Sequence, residues 1–157
     1  DLTTLTELQL KCNQLGSSLC EHIHMDRLSS LTTLNMSTNQ MGPISCCRML
    51  FQFKFLASLQ CLELAENSLG QDPGYTTEMA GLFSNLVSLH TLRLESNHFD
   101  DASGAALMDG LALVTTLKQL FLKENSLGVK DACALKGRLD KLHSLEVLDL
   151  SNNLVDS

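Results

Sequence analysis

Basic side chains are scarce in this sequence, whose 157 residues carry 11 Lys and Arg against 18 Asp and Glu, a formal net charge of -7 at pH 7. Proteins that bind nucleic acid usually present a basic footprint to the phosphate backbone, so nucleic acid is not an expected partner. Long apolar runs are missing as well. The longest fall far short of the roughly 18 to 20 residues that cross a bilayer, and no signal-peptide pattern opens the chain, so no membrane span is predicted.

Sequence motifs for catalysis are also missing. The chain contains no G-x-S-x-G nucleophile turn, no phosphate-binding loop and no H-E-x-x-H zinc motif. Adjacent carboxylates occur at Asp100 and Asp101, but we expect them to serve the start of a following helix, where negative charge meets the positive end of the helix dipole. We therefore expect no enzyme, no catalytic residue and no cofactor.

What the sequence does contain is an internal repeat. The pattern L-x-x-L-x-L-x-x-N, with Met36 in place of one leucine, occurs six times and begins at Leu5 in the first unit and Leu145 in the last. Successive asparagines are 26, 28, 30, 28 and 28 residues apart, a period typical of stacked solenoids. The asparagines that end the six patterns are Asn13, Asn39, Asn67, Asn97, Asn125 and Asn153.

Each repeat predicts one strand followed by one helix. Apolar and polar residues alternate within the pattern, as in residues 7–11 and around Leu94, which is typical of a half-buried strand. After the asparagine, a glycine permits the turn out of the strand, and residues 71–74 are a turn by composition. Apolar residues spaced i, i+4 and i+7 then predict a helix. These inward-facing positions are Leu19 and Ile23; Met49, Phe53 and Leu56; Met79, Phe83 and Leu86; Leu107, Leu111 and Val114; Leu135, Leu139 and Leu142.

The asparagine at each strand end has a structural interpretation. Its side chain can bond to neighbouring backbone groups that the bend leaves unpaired, and stacking would bring successive asparagines into a ladder. We expect Asn39, Asn67, Asn97 and Asn125 to be buried and hydrogen-bonded. Because helices are wider than strands, the stack must curve with its strands on the inside.

The repeat L-x-x-L-x-L-x-x-N-x-L-G, followed by a helix, resembles the ribonuclease-inhibitor type of leucine-rich repeat. That resemblance implies an α/β horseshoe solenoid with a parallel β-sheet on the concave face and helices on the convex face. The steady asparagine and the uneven unit lengths are similar to the C-terminal repeats of NLR-family innate immune receptors, and RanGAP-like proteins share the repeat class. The ribonuclease inhibitor alternates asparagine with cysteine at the strand end, so ribonuclease inhibition is not carried over.

The whole chain, residues 1–157, is expected to form a single repeat domain. Neither end carries the polar capping unit that repeat proteins usually require. We therefore expect a fragment of a longer protein.

The six cysteines follow the repeat rather than a disulfide framework. Cys20 and Cys46 stand seven residues after an asparagine, and Cys47 and Cys133 stand eight after one, in columns where other units have alanine. Buried free thiols behave as small hydrophobic groups, and such usage is typical of a reducing compartment. We expect a cytoplasmic protein, with the nucleus as a second compartment. Cys12 and Cys61 fall in predicted strand segments.

The polar faces of the strands give the candidate binding surface. Strand alternation points these side chains away from the core, and Phe121 is the one large aromatic among them. Aromatic and Arg residues dominate binding energy once a partner covers them, although an isolated surface phenylalanine is also ordinary and the charges can instead pair across strands. The candidate partner-binding residues are Glu63, Arg93, Glu95, Phe121, Lys123, Glu124 and Asp149.

Two local motifs have simpler explanations than a site. On a helix, His22 and His24 are about 200° apart and cannot share a metal ion, and Cys20 with His24 supplies only two ligands, so no metal is expected. Asn35-Met36-Ser37 spells a glycosylation sequon, but it lies on a predicted strand and we attribute it to chance.

Three functions fit these observations. The first is a non-enzymatic protein-interaction module whose concave face binds a protein partner or a domain of its own parent chain. In an NLR-like receptor this would mean ligand sensing or autoinhibition. The second is an enzyme regulator of the RanGAP-like, GTPase-activating kind, and the third is a structural spacer.

Overall fold

The computed structural model describes residues 2–16, 24–128, 137 and 142–154. Its sheet has six short strands that pair in chain order, and every pair is parallel. This confirms the predicted parallel sheet. The strands are β1 (Glu7–Gln9), β2 (Thr33–Asn35), β3 (Cys61–Glu63), β4 (Thr91–Arg93), β5 (Gln119–Phe121) and β6 (Val147–Asp149).

Helical segments connect the strands. The α-helices in the described residues are α1 (Gly42–Gln52), α2 (Pro73–Leu82) and α3 (Asp101–Leu111). Helix α2 packs between α1 and α3. Single 3-10 turns follow α1 and α2 at Phe53–Phe55 and Phe83–Asn85, and another precedes β2 at Met25–Arg27.

The core lies between the sheet and the helices. The pairing register places equivalent leucines beside one another, so that Leu34, Leu62, Leu92 and Leu120 form one buried row. The predicted inward-facing helical positions of the second, third and fourth units are buried, as is Leu142 in the fifth. Leu19, Ile23, Leu135 and Leu139 fall outside the described residues. The six-fold repeat is therefore an α/β solenoid in which each unit is buried by its neighbours.

The strands are shorter than the alternation predicts. The strand predicted over residues 7–11 ends at Gln9, and the one around Leu94 ends at Arg93. The chain bends because the residues on both sides of each of the first four asparagines take left-handed backbone angles, as at Glu66 (φ 57°) and Ser68 (φ 58°). Cys12 (φ 61°) lies in such a turn, so its placement in a strand segment was wrong.

Residues 71–74 do not form the turn that their composition predicts. Helix α2 already begins at Pro73, and Asp72 is its N-cap. The Asp72 Oδ1 atom accepts hydrogen bonds from the backbone N–H of Gly74 (3.0 Å) and Tyr75 (3.4 Å). Proline suits the first helical positions because an N–H group there would have no partner within the helix. The Asp-Pro pair therefore starts a helix.

The glycines after the asparagines serve two purposes. Gly42 (φ 64°) and Gly16 (φ 48°) take left-handed angles at the turn, in line with the sequence interpretation. Gly70 has no left-handed angle, but an added Cβ atom would lie 2.6 Å from the backbone N and Cα of Phe99. Glycine is needed at position 70 because two repeats approach closely there.

Asp100 and Asp101 both act at the start of α3. The Asp100 side chain accepts from the backbone N–H of Ala102 (3.1 Å) and Ser103 (2.9 Å), while the Ser103 hydroxyl accepts from the Asp100 N–H (2.9 Å). This is a reciprocal capping box. The Asp101 Oδ1 atom accepts from the Gly128 N–H at 3.0 Å, which ties this helix to the following repeat.

The described cysteines are not joined to one another by disulfides. Cys46 and Cys47 are buried, as the column argument predicts, whereas Cys61 is half-buried and Cys12 is exposed. Cys20 and Cys133 lie outside the described residues.

Candidate functional site

The candidate site is a row of side chains that crosses four neighbouring strands on the face opposite the core. Parallel pairing places Glu63 beside Arg93, Arg93 beside Phe121, and Phe121 beside Asp149. The row exists because each of these residues directly follows the inward-facing leucine of its strand, and successive side chains point to opposite faces. We call these four residues, with Glu95, Lys123 and Glu124, the concave-face cluster.

Arg93 and Phe121 are in direct contact at the centre of this cluster. The guanidinium carbon of Arg93 lies 4.0 Å from the centroid of the Phe121 ring, a cation–π distance. The sequence predicts that the Phe121 side chain is exposed, but in the structure it is half-buried. The reason is tertiary: β4 places an arginine beside it, and that arginine covers its face.

Arg93 is also held by Glu95. Its Nη1 atom lies 2.8 Å from Glu95 Oε1, so this pair forms along the chain, two residues apart, rather than across strands. The second oxygen, Glu95 Oε2, is buried and has no hydrogen-bond partner among the described residues.

Lys123 and Glu124 form a second, more exposed pair beside this centre. Lys123 Nζ lies 3.1 Å from Glu124 Oε1, and the Ser96 hydroxyl donates to Glu124 Oε2 at 3.0 Å. The hydrogen bond from Lys123 is the main cause that lowers the pKa of Glu124, and the hydrogen bond from Ser96 is the next. The Lys123–Glu124 hydrogen bond also raises the pKa of Lys123. Both groups are charged at neutral pH, but exposed pairs of this kind contribute little to stability.

Asp149 ends the row. The Ser151 hydroxyl and backbone N–H donate to its Oδ1 atom at 2.6 and 2.9 Å, and these bonds lower its pKa. Asp149 is therefore ionised at neutral pH. The cluster contains four carboxylates and two basic groups, so its net charge is negative. The Arg93–Phe121 contact lies at its centre.

The asparagines form a continuous hydrogen-bonded series behind this face. Each Oδ1 accepts from the backbone N–H of the preceding asparagine: Asn39 from Asn13 (2.9 Å), Asn67 from Asn39 (3.0 Å), Asn97 from Asn67 (3.0 Å) and Asn125 from Asn97 (2.9 Å). The amide nitrogen donates both to its own turn and to the preceding repeat, as Asn97 Nδ2 does to Leu64 O at 2.9 Å. Asn39, Asn67 and Asn97 are fully buried and Asn125 nearly so.

The two terminal asparagines are less enclosed. Asn13 is exposed and Asn153 is half-buried, although the Asn153 Oδ1 atom still accepts from the Leu127 N–H at 3.1 Å. The series holds the strand ends of adjacent repeats in fixed register. The asparagine series thus positions the strands that carry the concave-face cluster.

The described residues contain neither a cluster of metal ligands nor a helix that could span a membrane. Within them, no three His, Cys, Asp or Glu side chains come close enough together to hold a metal ion. His24 is exposed, while Cys20 and His22 fall outside the described ranges. The described helices are all too short or too polar to act as membrane spans.

The sequence interpretation missed a second surface on the helical side. A groove of about 390 Å³ runs between α1 and α2. Its signal was present in the sequence, because Ile44 and Phe51 are apolar residues of α1 outside the buried Met49–Phe53 column. We call this surface the outer groove, and it is lined by Ile44, Arg48, Phe51, Tyr75, Glu78 and Leu82, with Cys47 at its base.

Comparison with known proteins points to one repeat family. The family model described as leucine-rich repeat matches residues 1–18 and 85–108. NACHT, LRR and PYD domains-containing protein 12 of Mus musculus is 32% identical over 141 residues, covering 87% of this chain and 13% of that protein. The ribonuclease inhibitor of Sus scrofa is 30% identical over 154 residues, covering 95% of this chain and 33% of that protein. The chain thus spans a third or less of the length of these relatives.

Solved structures share the fold at lower sequence identity. An internalin from Listeria monocytogenes superposes with a TM-score of 0.59 and 24% identity, over 99% of this chain and 44% of that one. The actin-binding site 2 of leiomodin-1 gives a TM-score of 0.64 with 17% identity, over 85% of this chain and 77% of that one. These likenesses show the solenoid fold.

Proposed function

We propose that this chain, a leucine-rich repeat protein of the ribonuclease-inhibitor type, is a protein-binding module that uses its concave-face cluster. The observation that carries the proposal is the Arg93–Phe121 contact, at 4.0 Å, in the middle of a row of charged side chains. Arginine and aromatic residues are the ones that most often dominate binding energy at interfaces. The solenoid presents them on a rigid sheet, which lowers the entropy cost of binding.

The chemistry of the cluster indicates the kind of group that it would contact. The carboxylates Glu63, Glu95, Glu124 and Asp149 outnumber the basic residues Arg93 and Lys123. Lys or Arg side chains of a protein partner would therefore complement the charge of this cluster. An apolar side chain of the same partner would pack on the edge of Phe121.

Similarity to a NACHT, LRR and PYD domains-containing protein supports a role within a larger cytoplasmic receptor or regulator, where the bound partner is either a separate protein or another domain of the parent chain. Binding rather than catalysis is the activity proposed.

The test uses the purified chain as bait in a cell lysate, with bound proteins quantified by mass spectrometry. Phe121→Ala and Arg93→Glu should both lose the same bound proteins, whereas Val87→Ala, a change at an exposed residue away from the cluster (63% exposed), should retain them. Binding of each purified candidate would then be measured by calorimetry. If both cluster variants bind as the unchanged chain does, the concave face is not the binding surface.

A further inference from the structure

The outer groove is built from one face of each of two helices. Ile44, Arg48 and Phe51 are spaced i, i+4 and i+7 on α1, and Tyr75, Glu78 and Leu82 are spaced i, i+3 and i+7 on α2. Residues with this spacing share a helix face. The groove therefore lies between one face of α1 and one face of α2.

Large apolar side chains line this groove and are open to solvent. Phe51 is 60% exposed and Ile44 is 45% exposed, and Tyr75 and the nearby Phe55 are exposed as well. Single apolar residues on a surface are ordinary, but a contiguous apolar patch marks an interaction site. A second exposed apolar pair, Val87 and Leu113, borders a pocket of only about 120 Å³ with no charged side chain in its lining.

The α1 side of the groove carries a charge opposite to that of the chain as a whole. Residues 42–55 contain Arg48 and Lys54 and no Asp or Glu, in a chain whose formal net charge is -7. Lys54 Nζ lies 4.6 Å from the centroid of the Phe51 ring and 5.2 Å from that of Phe55. A basic strip thus borders the aromatic residues on the α1 side, while Glu78 stands on the α2 wall.

The base of the groove is apolar in character. The Cys47 thiol donates a hydrogen bond to the Tyr75 carbonyl oxygen at 3.3 Å. Burial, and secondly the charge of Glu78, raise the pKa of Cys47 to about 11. The thiol is therefore neutral at physiological pH and acts as a small hydrophobic group.

We propose that the outer groove binds an acidic amphipathic helix of a partner protein, with its apolar side chains between α1 and α2 and its carboxylates beside Arg48 and Lys54. A helix laid into an apolar groove is a common recognition mode. The basic strip of residues 42–55 selects the acidic partner by charge complementarity. This surface is separate from the concave-face cluster, so the chain would hold two partners on opposite sides of its sheet.

The test uses synthetic peptides of about 18 residues, roughly five helical turns. The probe carries Leu at i, i+3, i+4 and i+7 positions with Glu on the flanks. A second peptide replaces each Glu by Lys, and a third keeps the composition of the probe but scatters its leucines. Each is labelled with fluorescein and titrated with the full chain while its anisotropy is recorded.

The acidic probe should bind saturably and more tightly than either control peptide. Phe51→Ala and Arg48→Glu should each weaken it about tenfold, the size expected for loss of an important contact. Arg48→Glu together with Lys54→Glu should bind the lysine peptide better than the unchanged chain does. Val87→Ala and Phe121→Ala should leave binding of the probe unchanged, the latter because it tests the other face. All of the groove positions changed are exposed, and circular dichroism verifies their folding.

Several results would overturn the proposal. The first is that the acidic probe shows no saturable binding. The second is that the lysine peptide binds as tightly as the acidic probe. The third is that Val87→Ala weakens binding of the probe as much as Phe51→Ala does. Sedimentation showing a dimer of the chain that Phe51→Ala dissociates would assign the groove to a second copy instead. None of these outcomes bears on the concave-face cluster, which is tested by its own variants.

Discussion

Gly110 of α3 lies directly against the carbonyl group of Ala80 of α2, so closely that a methyl group on Gly110 would overlap the carbonyl carbon and oxygen. The contact is between backbones, which cannot move aside as a flexible side chain can. It sets how closely two consecutive repeats approach on the helical side. Much of what the sequence leaves open in this protein is decided by such contacts between repeats.

Substitution of Gly110 should show this directly. Gly110→Ala should lower the free energy of unfolding by about 2 to 3 kcal/mol, the cost of overpacking a closed contact, despite alanine's higher helix propensity. Gly81→Ala is the matched control, since an added Cβ there meets nothing within 4 Å. It should be neutral or should stabilise by up to about 1 kcal/mol. Urea unfolding measures both, and similar effects of the two variants would contradict the backbone contact.

Asn97→Ala should be among the most damaging polar substitutions. It leaves the N–H groups of Asn67 and Leu69 and the carbonyl of Leu64 without their asparagine partner in a buried site. Each stranded group costs about 1 to 3 kcal/mol, so a loss of about 3 kcal/mol or more is expected in urea unfolding. Asn13→Ala, at an exposed position, should cost less than about 1 kcal/mol. If Asn97→Ala and Asn13→Ala lower the free energy of unfolding equally, burial does not determine how much each asparagine contributes to stability.

Asp100 should make stability depend on acid pH. The hydrogen bonds from the Ser103 backbone and hydroxyl lower its pKa, so its stabilisation is present above the ordinary carboxyl pKa of about 4 and is lost as pH falls through the lower folded value. Asp100→Asn keeps an N-capping oxygen but not the charge. The stability advantage of the unchanged chain over this variant should therefore shrink between pH 7 and pH 3. Asp100→Ala should cost about 1 kcal/mol.

The acid effect of Asp100 has a simple control in Asp26, an exposed residue of the Met25–Arg27 turn. Asp26→Asn should change stability by only a few tenths of a kcal/mol. Chemical denaturation at pH 7, 5, 4 and 3 measures all variants. If the difference between Asp100 and its asparagine variant stays constant over that range, the capping box is not the source of the pH dependence.

Cys47 should resist alkylation while Cys12 reacts. Only the thiolate is nucleophilic, and the pKa of Cys47 is raised to about 11 by burial, whereas Cys12 is exposed. With iodoacetamide at pH 8, peptide mass spectrometry should find Cys12 modified first and Cys47 modified only where denaturant opens the fold. Equal rates at the two sites would mean that the base of the outer groove is open to water. Cys47→Ser provides the assignment control.

Residues that obey the repeat could be placed from the sequence. The spacing of Asn67 and Asn97 and the apolar columns at Met49 and Leu107 fix the strand, turn and helix of each unit, because a repeated pattern forces equivalent residues into equivalent positions. The same spacing aligns equivalent positions of neighbouring strands, as in the pairing of Leu92 with Leu120 and of Arg93 with Phe121.

Residues that depart from the repeat could not be placed from the sequence. Pro73 was placed in a turn because its composition favours one, whereas Asp72 caps a helix at that point. Phe121 was expected to be exposed because alternation describes one strand and not the side chain that the next strand lays over it. The outer groove was missed because the periodic pattern identifies the buried face of α1 and says nothing of how its other face meets α2.

The sequence by itself determined the number of units, their order and their register, since a fixed spacing of leucine and asparagine leaves one way to stack parallel strands. Only the tertiary structure decided that Arg93 covers Phe121, that Glu95 keeps a buried oxygen without a donor in the described residues, and that Ile44 and Phe51 share a groove with Tyr75. The physical reason is that backbone hydrogen bonds follow the repeat, whereas contacts between side chains of adjacent units depend on distances of a few ångströms that no single unit encodes.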